Sequence, residues 1–151
     1  YYDEIAEGYD ELHEQEQFEK LKLILSELKV KDDDLLLDVG CGSGISTRFW
    51  SCRAVGVDPY INLLKQAKGA HYVQAKAEQL PFKDNTFDIV ISVTAIQNFD
   101  DVEKGLQEIK RVGKERFVLT FLKKSPKSEQ ITRLIMHYFN VKKIKNKPRK
   151  E

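Results

Sequence analysis

Long apolar runs are the first thing this sequence lacks. None of its 151 residues fall in a stretch approaching the roughly 18 to 20 consecutive apolar positions that a bilayer-crossing helix needs. No membrane partner is therefore expected. Cysteine is scarce: Cys41 and Cys52 build no disulfide framework, and no CxxC pair suggests zinc or another metal. The chain opens on Tyr1, with nothing near it resembling a signal peptide. A reducing cytoplasm is the expected setting. Repeats, low-complexity tracts and Pro/Gly linkers are also missing, which leaves a single domain over 1–151.

Charge is not scarce but unevenly spread. The net charge is +1, yet residues 1–109 carry 11 basic against 21 acidic residues, and residues 110–151 carry 14 against 3. Such a split suits a nucleic-acid contact surface; it suits solvated Lys-rich helix faces equally well.

Periodicity supplies the fold. Glu16 to Lys29 reads as an amphipathic helix with Phe18, Leu21, Leu25 and Leu28 on one face. The apolar run Leu35-Leu36-Leu37 suits a strand buried on both faces of a parallel sheet. Helix and strand then alternate: helix Ile45–Trp50, strand Arg53–Val57, helix Tyr60–Lys68, strand His71–Ala75, and strand Phe87–Val93 after the turn signal Lys83-Asp84-Asn85. Asp100 opens a helix to Val112, with Glu103 placed as a capping box wants. Strand Arg116–Phe121, helix Lys127–Tyr138 and a last strand Val141–Lys145 follow. This is an α/β pattern, a doubly wound, Rossmann-like sheet, mostly parallel and flanked by helices. Only Lys76 to Thr86 separates the third and fourth strands, too few residues for a packed crossover helix. An extended chain of that length still reaches across several strands, so the fourth strand can lie beside the first and open a crevice at the carboxyl ends.

The segment Asp38-Val39-Gly40-Cys41-Gly42-Ser43-Gly44 leaves the first strand and enters a helix. Glycines there permit positive φ and let backbone amides approach a ligand. Asp58 follows the second strand, where a carboxylate can accept both hydrogen bonds of a ribose diol. A nicotinamide-type G-x-G-x-x-G would need glycine at position 45, which is Ile45. A plain tight turn with no ligand is the other alternative.

These residues carry a resemblance. The segments Tyr9-Asp10 within AEGYD, LLLDVGCGSG (35–44), VGVDPY (55–60), AEQLPF (77–82), NTFDIVIS (85–92) and LQEIKRV (106–112) resemble the class I S-adenosylmethionine-dependent methyltransferases of the "type 11" group over nearly the whole chain. The resemblance implies that S-adenosyl-L-methionine is the cofactor. It implies that Asp38 and the loop of Gly40, Cys41, Gly42 and Gly44 hold its methionine part, and that Asp58 binds the ribose. Pro59 and Tyr60 would flank the adenine, Ala77 and Glu78 would border it, and Tyr9 would cover the cofactor. Ser92 and the stretch to Asn98 would line the transfer site.

The sequence departs from that group in four places. Lys76, a donor only, stands where an acid usually accepts from the adenine amino group. Thr94-Ala95-Ile96-Gln97-Asn98-Phe99 replaces a His-His pair; Gln97 and Asn98 can hydrogen-bond an acceptor, while Asn98 can equally cap the next helix. Gly113-Lys114-Glu115-Arg116 replaces a Lys-Pro-Gly-Gly turn and reads as a tightened hairpin-like connection. Finally, Asn146 to Glu151 is too short and polar for the group's last antiparallel strand. The sheet edge would then be bare, calling for a further stretch of chain, a partner subunit or a homodimer to cover it.

Methyl transfer from a sulfonium asks the protein for proximity, alignment and a dry site rather than a metal. His13, His71 and His137 fall on element edges and read as surface residues. The methyl acceptor is expected to be a small molecule or RNA or protein, the last two drawing on the basic C-terminal third. The CGSGIS turn and TAIQNF stretch faintly resemble ribosomal-RNA guanine-N7 methyltransferases, which work with a small activator protein. The alternative is a module that binds the cofactor without catalysis, or a subunit needing a partner for activity.

Overall fold

The computed structural model describes residues 6–142 and 144, with backbone alone over 6–14. Its centre is a sheet of five parallel strands: β1 (Leu35–Val39), β2 (Arg53–Asp58), β3 (His71–Gln74), β4 (Phe87–Ser92) and β5 (Gly113–Leu119). The strand order is β3-β2-β1-β4-β5. As expected, the chain returns after β3 without a helix and lays β4 beside β1 (Leu36 against Ile89, Asp38 against Ile91). That reversal puts the crevice between the ends of β1 and β4.

The helices are α1 (Ala6–Glu27), α2 (Ile45–Arg48), α3 (Ile61–Leu64), α4 (Val102–Val112) and α5 (Ser128–Tyr138). Strand residues alternate between two cores, as the pleat requires. Leu37, Val39, Val57 and Val90 join Leu106, Ile109 and Ile131 from α4 and α5. Leu36, Ile89 and Ile91 join Leu21 and Trp50 on the α1 side. Among the described residues no helix is long and apolar enough to cross a membrane.

Several expectations need correction. α1 begins ten residues before Glu16; Leu21 is fully buried, Ile24 and, just past the helix, Leu28 pack partly buried against the same core, and Phe18 and Leu25 are 41% and 46% exposed. α2 and α3 stop after a single turn, at Arg48 and Leu64. The N-cap of α4 is Asp101, not Asp100: its carboxylate accepts from Lys104 N–H at 3.1 Å. The reciprocal bond of the box comes from Glu78, a remote residue, which accepts from Asp101 N–H at 2.8 Å. Asn98 therefore does not cap α4; it lies in a 3-10 turn over Ile96–Asn98. Gly113 opens β5 directly at the end of α4 and pairs with Phe87 of a parallel neighbour, so the connection is no hairpin. A side chain there would meet Phe117 at 2.5 Å. Val141, Lys142 and Ile144 belong to no strand, and the rest of the expected last strand lies outside the described residues.

Candidate functional site

Every glycine of the 40–44 loop has positive φ, but the three face different neighbours. A Cβ on Gly40 would stand 2.5 Å from Ala95 Cβ, and one on Gly44 2.4 Å from the Tyr72 hydroxyl. Those two are glycine because the protein itself crowds them. Gly42, with φ 56°, has nothing within 4 Å of where its Cβ would be. It is the loop's face toward open space.

Two carboxylates hold the loop. Asp58 ends β2 almost fully buried and accepts from Gly42 N–H on Oδ2 and from Tyr60 N–H on Oδ1, each at 2.9 Å. Each oxygen keeps a second lone pair, so a diol can still be received. Asp38 lies beneath the loop with no exposure. Its Oδ2 accepts from the Ser46 hydroxyl and, at 2.9 Å, from Thr47 Oγ1; its Oδ1 is buried without a partner. Burial pushes the Asp38 carboxyl up to about 6, against the lowering pull of Ser46 and Thr47. A buried acceptor left unmade costs about 1–3 kcal/mol. Cys41, buried in the loop, has its thiol pushed up by the same desolvation and by Asp38 and Asp58.

The other expected residues divide into free and engaged. Tyr60 is 66% exposed beside Pro59, its ring open to an aromatic ligand. Ala77 is buried in the core, Glu78 is occupied at the start of α4, and the Ser92 hydroxyl donates to Val39 O at 2.9 Å, tying β4 to β1. Lys76 pairs with Asp100 at 3.2 Å in solvent. Tyr9 lies in α1, its side chain outside what is described. Gln97 donates from Nε2 to Thr94 O, whereas Asn98 is exposed.

Thr94 belongs to the stretch expected to line the transfer site, whereas the two residues that hold it, Lys20 and Thr120, escaped the sequence reading. Thr94 has φ 56°, rare for a β-branched residue. Lys20 of α1 donates to Thr94 Oγ1 at 3.0 Å, and Thr120, just beyond β5, receives the Thr94 N–H at 2.8 Å. No local pattern announces them, because each acts across at least 26 residues of chain.

The glycine loop and Asp58 stand together at the carboxyl ends of β1 and β2, on a class I methyltransferase fold. Residues 37–120 match the family model described as a methyltransferase domain, and the chain belongs to that family. It is 33% identical over 114 residues to malonyl-(acyl-carrier protein) O-methyltransferase of Pseudescherichia vulneris, covering 71% of this chain and 45% of that one. Among solved structures it is similar to YcgJ of Bacillus subtilis (28% identity, TM-score 0.62, 68% and 50% covered). It is also similar to a Haloferax volcanii complex of the Trm112 methyltransferase activator and a putative methyltransferase (26%, TM-score 0.65, 73% and 54% covered). The chain spans about half the length of the curated relatives it matches.

Proposed function

We propose that this chain is the cofactor-binding part of an S-adenosylmethionine-dependent methyltransferase. The observation that carries this is the Gly42 cradle, open to space, pinned to Asp58 and underlain by the orphaned Asp38 Oδ1. The residues fit the cofactor. Asp58 has lone pairs for the ribose hydroxyls, Tyr60 an uncovered ring for the adenine, and the loop an unpartnered acceptor for the methionine ammonium, reached directly or through water. When bound, S-adenosylmethionine supplies a methyl group already activated on a sulfonium. The chain's own residues bind it, orient it and keep water out.

The acceptor side is formed by Thr94–Asn98, which abuts the glycine loop through Ala95 and Gly40. A small molecule is one acceptor this reading allows. RNA is the alternative acceptor, favoured by the basic residues that follow β5, where Lys123 and Lys124 are exposed. A partner subunit is supported by one further observation: among the described residues β5 is bonded to β4 alone and leaves an edge open. Calorimetric titration with S-adenosylmethionine and separately with NAD tests the reading. Micromolar binding of the first alone is the expected result; binding of NAD alone would sink it.

A further inference from the structure

The segment after β4 turns on a strained residue. Thr94 keeps its left-handed φ of 56° because its surroundings over-determine it. Its N–H is held by Thr120 through both the backbone oxygen (3.1 Å) and Oγ1 (2.8 Å), while Lys20 Nζ holds its hydroxyl. What this arrangement fixes is the Thr94 carbonyl, which accepts from Gln97 Nε2 at 2.9 Å. A carbonyl cannot donate, so the amide has one orientation: its NH2 faces Thr94 and its Oε1 faces away. That Oε1 is buried and has no partner. One helical turn before Lys20 on α1, Gln17 Oε1 is a second buried oxygen with none. Ala95, two residues before Gln97 in the chain, lies against Gly40 of the glycine loop.

We infer that Gln97 Oε1 is a specificity-determining contact for the methyl acceptor, and that the acceptor is a neutral nitrogen nucleophile carrying an N–H. This rests on the methyltransferase reading above. A bare carbonyl oxygen calls for a donor, and a protonated amine has no lone pair with which to take the methyl group. A hydroxyl acceptor would have to lose its proton as the bond forms. The side chains bonded around Thr94 are Lys20, Thr120 and Gln97, none of which takes up a proton at neutral pH. A neutral amine needs no base. Its lone pair forms the N–C bond while the C–S pair passes to sulfur; the nitrogen becomes cationic and afterwards releases its proton to water. Oε1 directs the lone pair by holding the N–H, and that bond strengthens as positive charge grows on nitrogen.

The test uses the whole chain loaded with S-adenosylhomocysteine and three probes: aniline, N,N-dimethylaniline and benzoate, followed by saturation-transfer NMR. Aniline should bind at least fivefold better than its dimethyl analogue, and Gln97→Leu should erase that preference. Equal binding of the two amines, binding of neither, preference for benzoate, or a preference unmoved in Gln97→Leu would overturn the inference. Cofactor affinity is read by calorimetry beside each variant. A wild-type chain that binds no S-adenosylhomocysteine sinks the methyltransferase reading itself; one that binds it yet shows no amine preference sinks only this inference.

Discussion

The two ends of the sheet differ in how their charged groups are answered, although Asn85 before β4 also has a left-handed φ and Trp50 Nε1 before β2 is also buried without a partner. At the amino end every charged group named here is answered. Arg116 makes bonds of 2.7 and 3.0 Å to nearly buried Asp34, and Asp88 receives Leu35 N–H and Lys114. Arg111 spans Glu108, Asp84 and the carbonyls of Leu80 and Phe82. The partners hold the carboxyls of Asp34, Asp88 and Glu108 below their ordinary range: Arg116 for Asp34, the Leu35 N–H and Lys114 for Asp88, Arg111 for Glu108. At the carboxyl end, Asp38 Oδ1 and Gln97 Oε1 are buried without partners, and Gly40, Gly42, Gly44 and Thr94 all take left-handed φ. Unmade bonds and strained backbone cost stability, so a fold tolerates them where a ligand gains from them. The contrast separates scaffold from site.

Four changes test that contrast, from the largest effect to the smallest. The first is pH. An acid whose native carboxyl stands near 6 and whose unfolded one stands near 3.8 keeps its proton longer when folded. Its burial as an anion therefore costs nothing below about pH 4, and the cost rises to about 3 kcal/mol once the pH exceeds the native value. Asp38→Asn should gain on the wild type in urea unfolding by that amount between pH 4 and 7. A constant difference across the range would mean that Asp38 is not an isolated buried anion.

Asp58→Ala comes second. Loss of charge-assisted bonds to the ribose should weaken S-adenosylmethionine by about 1.5–3 kcal/mol in calorimetry. Unchanged affinity would remove Asp58 from the site. Arg116→Ala, at the opposite end, should cost about 2 kcal/mol of unfolding free energy through the unpaired Asp34, discounted because Arg116 is partly solvated. Cofactor affinity should be untouched; a parallel loss would blur the separation of the two ends. Smallest in stability is Gly42→Val, at about 1–2 kcal/mol for a left-handed L-residue. Its informative readout is cofactor affinity, which a side chain pointing into the open cradle should abolish. Normal binding would mean that the cradle faces something else.

Much of this was legible along the chain. Leu35-Leu36-Leu37 announces a doubly buried strand and the glycines after it a loop of left-handed φ, because each signal is local and its spacing is set by one strand and one turn. The gap from Lys76 to Thr86 even encodes the reversal of strand order. Other features were not local. Asp101 rather than Asp100 caps α4 because Glu78 arrives from another loop to accept its N–H. The rotation of α1 leaves Leu25 half-exposed and sets the Phe18 ring against Phe49, a neighbour the local periodicity does not name.

The sequence by itself determined the alternation of elements, the position of the glycine loop and the acid that closes it, since these depend on period, φ preference and chain reach. Only the tertiary structure decided which glycines face the protein and which faces open space. It also decided that Ala77 and Glu78 serve packing and capping, and that Thr94 is wrenched into a left-handed turn by Lys20 and Thr120. Those outcomes hang on contacts between residues far apart in the chain, and no local pattern encodes a neighbour that only folding supplies.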